Sequence, residues 1–137
     1  MSQKLEIYQS LWAMEMRRPG VPERPMEENF RKVAEAGYDG LCIDPAIHEI
    51  QDCLKLEPLY REYGLKCMVN AFPASVDDLP PLLNLAGHLD ASLVNVIGQV
   101  MPLTVDEGVP VIRQWMEDAR RADLTLLFET HRDCTLN

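Results

Sequence analysis

The chain has 137 residues, the size of one ordinary domain, and 47% of them are hydrophobic, enough for a single core. With 13 basic against 22 acidic residues the net charge is -9, which argues against a surface built to neutralise nucleic-acid phosphates or anionic lipid. The start, MSQKLEIYQSLWAM, lacks the features of a signal peptide, and no run reaches the ~20 apolar residues that span a bilayer; a cytoplasmic protein without nucleic-acid or membrane partners is the expectation.

Short runs rich in Val, Ile and Leu alternate with longer stretches of helical spacing, which predicts β/α architecture around a parallel sheet. The first strand is expected over residues 4–9 (KLEIYQ), followed by a Pro- and Gly-containing loop over 17–25 and the helix MEENFRKVAEAG. Phe30, Val33 and Ala34 share one face of that helix, Glu27 and Glu28 occupy its first turn, and Gly37 suits the position just past its end. A second strand over 40–44 (GLCID) leads through a loop carrying His48 into a helical stretch ending at Tyr63, which Pro58 should kink or restart and Gly64 should close. The third strand, 65–71 (LKCMVNA), precedes a capping box of Ser75 with Asp78 and a helix that buries Leu79, Leu82, Leu83, Ala86 and Leu89. A fourth strand over 92–98 (SLVNVIG) continues through Pro102 to a second capping box, Thr104 with Glu107. The helix that follows carries Val109, Ile112, Trp115, Met116 and Ala119 on its apolar face, with Pro110 early enough to be tolerated. The fifth strand, 124–130 (LTLLFET), is followed by HRDCTLN alone.

Strand starts recur at roughly thirty-residue intervals, one β/α unit each, and a closed barrel of eight units needs about 250 residues. The expected fold class is therefore α/β, parallel (β/α) units of a TIM barrel: about half a barrel, with five strands and four helices in a single partial domain spanning 1–137 and apparently truncated after strand five. Half a barrel leaves two outer strands unpaired. The missing half of a longer polypeptide, a second copy in a homodimer, or flattening into a doubly wound sheet would each answer this. The first is favoured because the chain stops after a strand without its helix. The cysteines (Cys42, Cys53, Cys67, Cys134) form no CxxC pair and are expected to be reduced and free of zinc.

In parallel β/α folds the active site gathers at the C-terminal ends of the strands. Read in order, those ends offer Gln9 and Trp12, Asp44 and His48, Asn70, Asn95 and Gln99, then Glu129 and His131. Each Asn or Gln either meets a ligand or caps a loop. Glu129 closes a strand expected to be buried on both faces, where a carboxylate is costly unless paired or bound to a cation, so it is read as a metal ligand and catalytic candidate. His131, two residues on, projects to the same side if strand geometry persists, and either joins it in catalysis or orients the loop. Oxygen and nitrogen donors of this kind suit Mg, Mn, Co or Zn. Trp12 either stacks on a sugar face or packs; with Asn70, Asn95 and His48 it makes up the expected substrate-binding set. Arg17 and Arg18 are the basic pair available to a substrate phosphate.

The segment LLFETHRDCTLN resembles the fifth-strand region of sugar phosphate isomerases/epimerases in the xylose isomerase-like TIM-barrel family, and LEIYQSLWAM, GYDGLCID and SLVNVIGQVMP resemble that family's first, second and fourth strands. The resemblance runs along the whole chain and implies a divalent metal held by Glu, Asp, His and Glu from strands five to eight, of which Glu129 matches the first. The other three have no counterpart here, nor has the partner of a catalytic glutamate pair, so a complete barrel would be needed for activity. The leading expectation is a divalent-metal-dependent sugar or sugar phosphate isomerase or epimerase. Alternatives are a metal-dependent hydrolase or endonuclease of the same superfamily, disfavoured by the missing Lys/Arg stripe, and a non-catalytic assembly module completed by another chain.

Overall fold

A computed structural model describes residues 5–101 and 103–136. Lys4 of the expected first strand and Pro102 of the fourth loop lie outside the described residues. The five strands are β1 (Tyr8–Ser10), β2 (Gly40–Ile43), β3 (Lys66–Ala71), β4 (Leu93–Val96) and β5 (Leu126–Phe128). They lie in the order β1-β2-β3-β4-β5 and every neighbouring pair is parallel. That unreversed order is the winding of a barrel, because a doubly wound sheet changes direction partway. The flattened arrangement is therefore not adopted. β1 starts later than expected, because pairing with β2 begins at Tyr8, and Leu5 and Ile7 before it are 80% and 53% exposed.

The helices are α1 (Met26–Glu35), α2 (Ile50–Cys53), α3 (Glu57–Tyr63), α4 (Leu79–His88) and α5 (Val105–Arg121). The single stretch expected between β2 and β3 is divided by a 3-10 turn, Leu54–Leu56, and resumes with Pro58 in the first turn of α3, where a missing N–H costs nothing. Gly37 (φ 81°) and Gly64 (φ 62°) take the left-handed positions after α1 and α3. Both capping residues act: Asp78 Oδ2 accepts the Ser75 backbone N–H at 2.9 Å, and Glu107 Oε2 accepts that of Thr104 at 2.9 Å.

Successive strand residues face opposite sides of the sheet. Leu41, Ile43, Cys67, Val69, Val94 and Val96 point to the helices and are at most 2% exposed, packed with Phe30, Tyr60, Leu82 and Trp115. Leu79, Leu82, Leu83, Ala86 and Leu89 of the α4 region are all buried, as its spacing predicts. On α5, Trp115 and Ala119 are buried, whereas Val109 and Met116 are 40% and 56% exposed. The opposite face of the sheet carries Ser10, Cys42, Met68 and Leu93 in one row and Asn70, Asn95 and Leu127 in the next. Among the described residues no helix packs on it, and Leu127 is 48% exposed. β5 is thus an edge strand with one open face, which corrects the expectation that Glu129 ends a strand buried on both sides.

The end of this open face away from the strand tips is closed by Tyr8. Its ring crosses Gly40, where a Cβ would collide with it and stand 2.6 Å from the Lys66 carbonyl oxygen. Its hydroxyl reaches Ser92 Oγ at 2.8 Å, and Glu6 pairs with Lys66 beside it. A tyrosine of β1 that touches the start of β4 shows how strongly the sheet curves.

Candidate active site at the strand ends

A cavity of about 650 Å³ opens at the C-terminal ends of the strands. Ser10 enters it from the end of β1 and Trp12 after it, Asp44 after β2, Asn70 and Phe72 from β3 and its end, Gln99 after β4, and Glu129 and His131 after β5. All five strand ends contribute, as the parallel architecture requires.

Four side chains on adjacent strands form one hydrogen-bonded row; Asp44, Asn70 and Glu129 line the cavity, whereas Asn95 joins them without lining it. Asn70 Nδ2 donates to Asp44 Oδ1 at 2.6 Å and to Cys42 Sγ at 2.9 Å. Asn95 Nδ2 donates to Asn70 Oδ1 at 3.2 Å and to Glu129 Oε2 at 2.9 Å. The register explains the contact, since it sets Asn70 beside Asn95 on the open face and Asp44 lies one position past the Ile43 and Val69 pair. The row runs Asp44, Asn70, Asn95, Glu129, with a carboxylate at each end.

Asp44 is half-buried and its Oδ2 is buried without a hydrogen bond of normal geometry. Burial raises its carboxyl above the usual range, against the opposing effects of the Asn70 amide and the Trp12 backbone N–H. The same desolvation, with Asp44 nearby, pushes the Cys42 thiol up to about 12, so it stays a protonated, unreactive core group. Sequence reasoning placed Asp44 at a strand end but left it out of the functional set. The available signal was its position directly after a fully apolar run, the same one that singled out Glu129.

Glu129 itself is exposed, so its standing as a candidate rests on its partner and its place in the cavity. His131 lies in the same cavity although β5 ends at Phe128. Its Nδ1 is 2.8 Å from the Arg132 carbonyl oxygen and 3.7 Å from Cys134 Sγ; the carbonyl only accepts, so in the neutral ring the shorter contact favours the tautomer with the proton on Nδ1 and Nε2 available. The chain beyond is held by Thr135, whose N–H donates to Gly98 O at 2.7 Å and whose Oγ1 accepts the Val100 N–H at 3.1 Å. A Cβ at Gly98 would stand 2.7 Å from that Oγ1, so glycine is what allows this approach. As a test of fit, Glu129 and the free nitrogen of His131 supply an oxygen and a nitrogen donor to one cavity, suited to a divalent cation. No group of three or more His, Cys, Asp or Glu side chains among the described residues gathers around a common point for a metal. The residues present fit part of a metal site.

The remaining candidates divide. Trp12 is 58% exposed at the cavity mouth, with the Arg17 guanidinium 3.7 Å from its ring centre. One ring face is thereby taken, and Arg17 is further engaged with Glu15 and the Trp12 carbonyl. His48 is exposed in the 3-10 turn Ile47–Glu49 and is not among the cavity's lining residues, so the structure does not bring it to the other candidates. Gln9 is also displaced, because alternation along β1 gives the cavity position to Ser10 and turns Gln9 to the other face.

No family model and no curated protein matches the sequence. Solved structures do match. D-allulose 3-epimerase from Methylomonas sp. superimposes with a TM-score of 0.67 at 15% identity, over 97% of this chain and 54% of the other. D-psicose 3-epimerase, solved in the presence of D-fructose, gives 0.64 at 18% identity, over 96% and 53%. The fold is half a TIM barrel. A third match, protein SMc04130 from Sinorhizobium meliloti 1021, gives 0.62 at 15% identity over 89% of this chain and 49% of that one. The half barrel thus spans about half the length of the solved structures it matches, and its resemblance to them is one of fold.

Proposed function

We propose that this chain is the half of a divalent-metal-dependent sugar isomerase or epimerase barrel that carries the first metal ligand, Glu129. The observation that supports this best is a carboxylate and a histidine with a free Nε2, both past the end of β5, facing the polar tips of the other four strands. Glu129 would hold the cation, with His131 as a second donor or as a partner for a substrate hydroxyl. The bound cation would polarise a carbonyl or hydroxyl oxygen of the substrate. Trp12 would offer its remaining ring face to a sugar, whereas Asn95 does not line the cavity and has its N–H groups engaged by Asn70 and Glu129. Arg17 is engaged within its own loop, whereas Arg132 lines the cavity in an exposed pair with Asp133 that is too weak to withhold it from a phosphate, so either a sugar or a sugar phosphate suits this half.

Metal content and ketose-aldose or epimer interconversion, measured on the full-length protein beside Glu129→Gln, test this reading. Loss of bound metal and of turnover in the variant is the expected result, and unchanged metal binding would overturn it. The uncovered sheet face and the free edges of β1 and β5 also favour a second reading, in which another chain completes the barrel. Light scattering separates the two. A stable dimer of 137-residue chains supports assembly from copies, whereas a soluble monomer argues against it.

A further inference from the structure

The row of side chains from Asp44 to Glu129 has a direction that can be read from chemistry. A carboxylate only accepts hydrogen bonds, so the amide facing it must present its NH2 group. Asn95 meets Glu129 Oε2 on one side and Asn70 Oδ1 on the other, both acceptors, and its two N–H groups serve both. Asn70 then turns its oxygen to Asn95 and its NH2 to Asp44 Oδ1 and Cys42 Sγ. Every N–H of the two amides is used. Rotating either amide by half a turn would set oxygen against oxygen, at two contacts for Asn95. The orientation of each member therefore fixes the next across four strands.

We propose that Asn95 and Asn70 are positioning residues, which hold the Glu129 carboxylate in one orientation through a directional amide row anchored at Asp44. The proposal rests on the reading of Glu129 as a metal ligand, and extends it inward to two residues that do not touch the metal. Outer partners of this kind orient the ligand they bond and set its affinity for the cation. Asn95 acts directly on Glu129, while Asn70 acts only through Asn95, so their effects should be coupled and unequal. It also accounts for two amides standing side by side in the middle of a sheet row where apolar residues would otherwise pack.

The test has a metal-free arm and a metal arm, both on the full chain. In the first, the side-chain NH2 resonances of Asn70 and Asn95 are followed by nitrogen-15 NMR in wild type, Glu129→Ala and Asp44→Ala. Shifts at both amides in each variant are expected. An Asn70 resonance untouched by Glu129→Ala would overturn the row as a unit. In the second, Mn2+ affinity is measured for variants whose circular dichroism matches wild type. Asn95→Ala should weaken binding roughly 10- to 100-fold. Asn70→Ala should weaken it less, and not at all when Asn95 is already alanine. Wild-type affinity in Asn95→Ala, or additive losses in the double variant, would overturn the proposal. Should wild type itself bind no Mn2+, the metal reading fails on its own, and the metal-free resonances still decide the row.

Discussion

Asp44 holds a carboxyl whose charged form the fold disfavours, since burial raises its pKa by more than the Asn70 amide and the Trp12 backbone N–H lower it. A raised folded pKa means that Asp44's contribution to stability is fully present below its unfolded pKa and is lost as pH rises through the folded value. Asp44→Asn should therefore gain on wild type as pH is raised from about 4 to about 8. Urea midpoints at each pH measure this, and a difference constant with pH would refute it. At Gly40 the constraint is steric. Gly40→Ala must displace the Tyr8 ring and the Lys66 carbonyl, at a cost of about 1–3 kcal/mol in urea unfolding. From the sequence alone, Glu129, Asn70 and Asn95 were recognisable as strand-end polar groups. Their hydrogen bonds to one another were not, because neighbours across a sheet are set by register.

At the scale of elements, caps and breakers were legible because their physics is local. Thr104 with Glu107, Pro58 and Gly64 act within a few residues of themselves, and each ends or starts a helix where the spacing indicated. Thr104→Ala should cost about 1 kcal/mol in thermal or urea unfolding by removing the N-cap of α5, and an unchanged midpoint would count against the cap. Strand ends were less legible. β5 was expected over seven residues and has register partners on β4 over three, Leu126–Phe128, with Thr125 O and the Glu129 N–H each adding one backbone bond to β4 at its ends. The place of His48 outside the cavity lining was not legible for a similar reason: nothing local says whether a loop after β2 turns toward the cavity or away from it.

For the molecule as a whole, the open sheet face decides what the half barrel can do. Leu127 stands on that face at the edge strand, half exposed. Leu127→Asp should change the stability of the isolated chain by no more than about 0.5 kcal/mol, yet impair assembly with whatever completes the barrel. Sedimentation and denaturation read separately would show both; a large loss of stability in the isolated chain would mean that this face is already covered. The sequence by itself determined the β/α period, the parallel class and the helix-facing core, because these follow from spacing and local capping. Only the tertiary structure decided that the strands run in unreversed order, that Glu129 is exposed, and that two carboxylates are joined through two amides. Those outcomes depend on which strands lie side by side and how far each slides, and chain-distant contacts of that kind leave no local pattern to read.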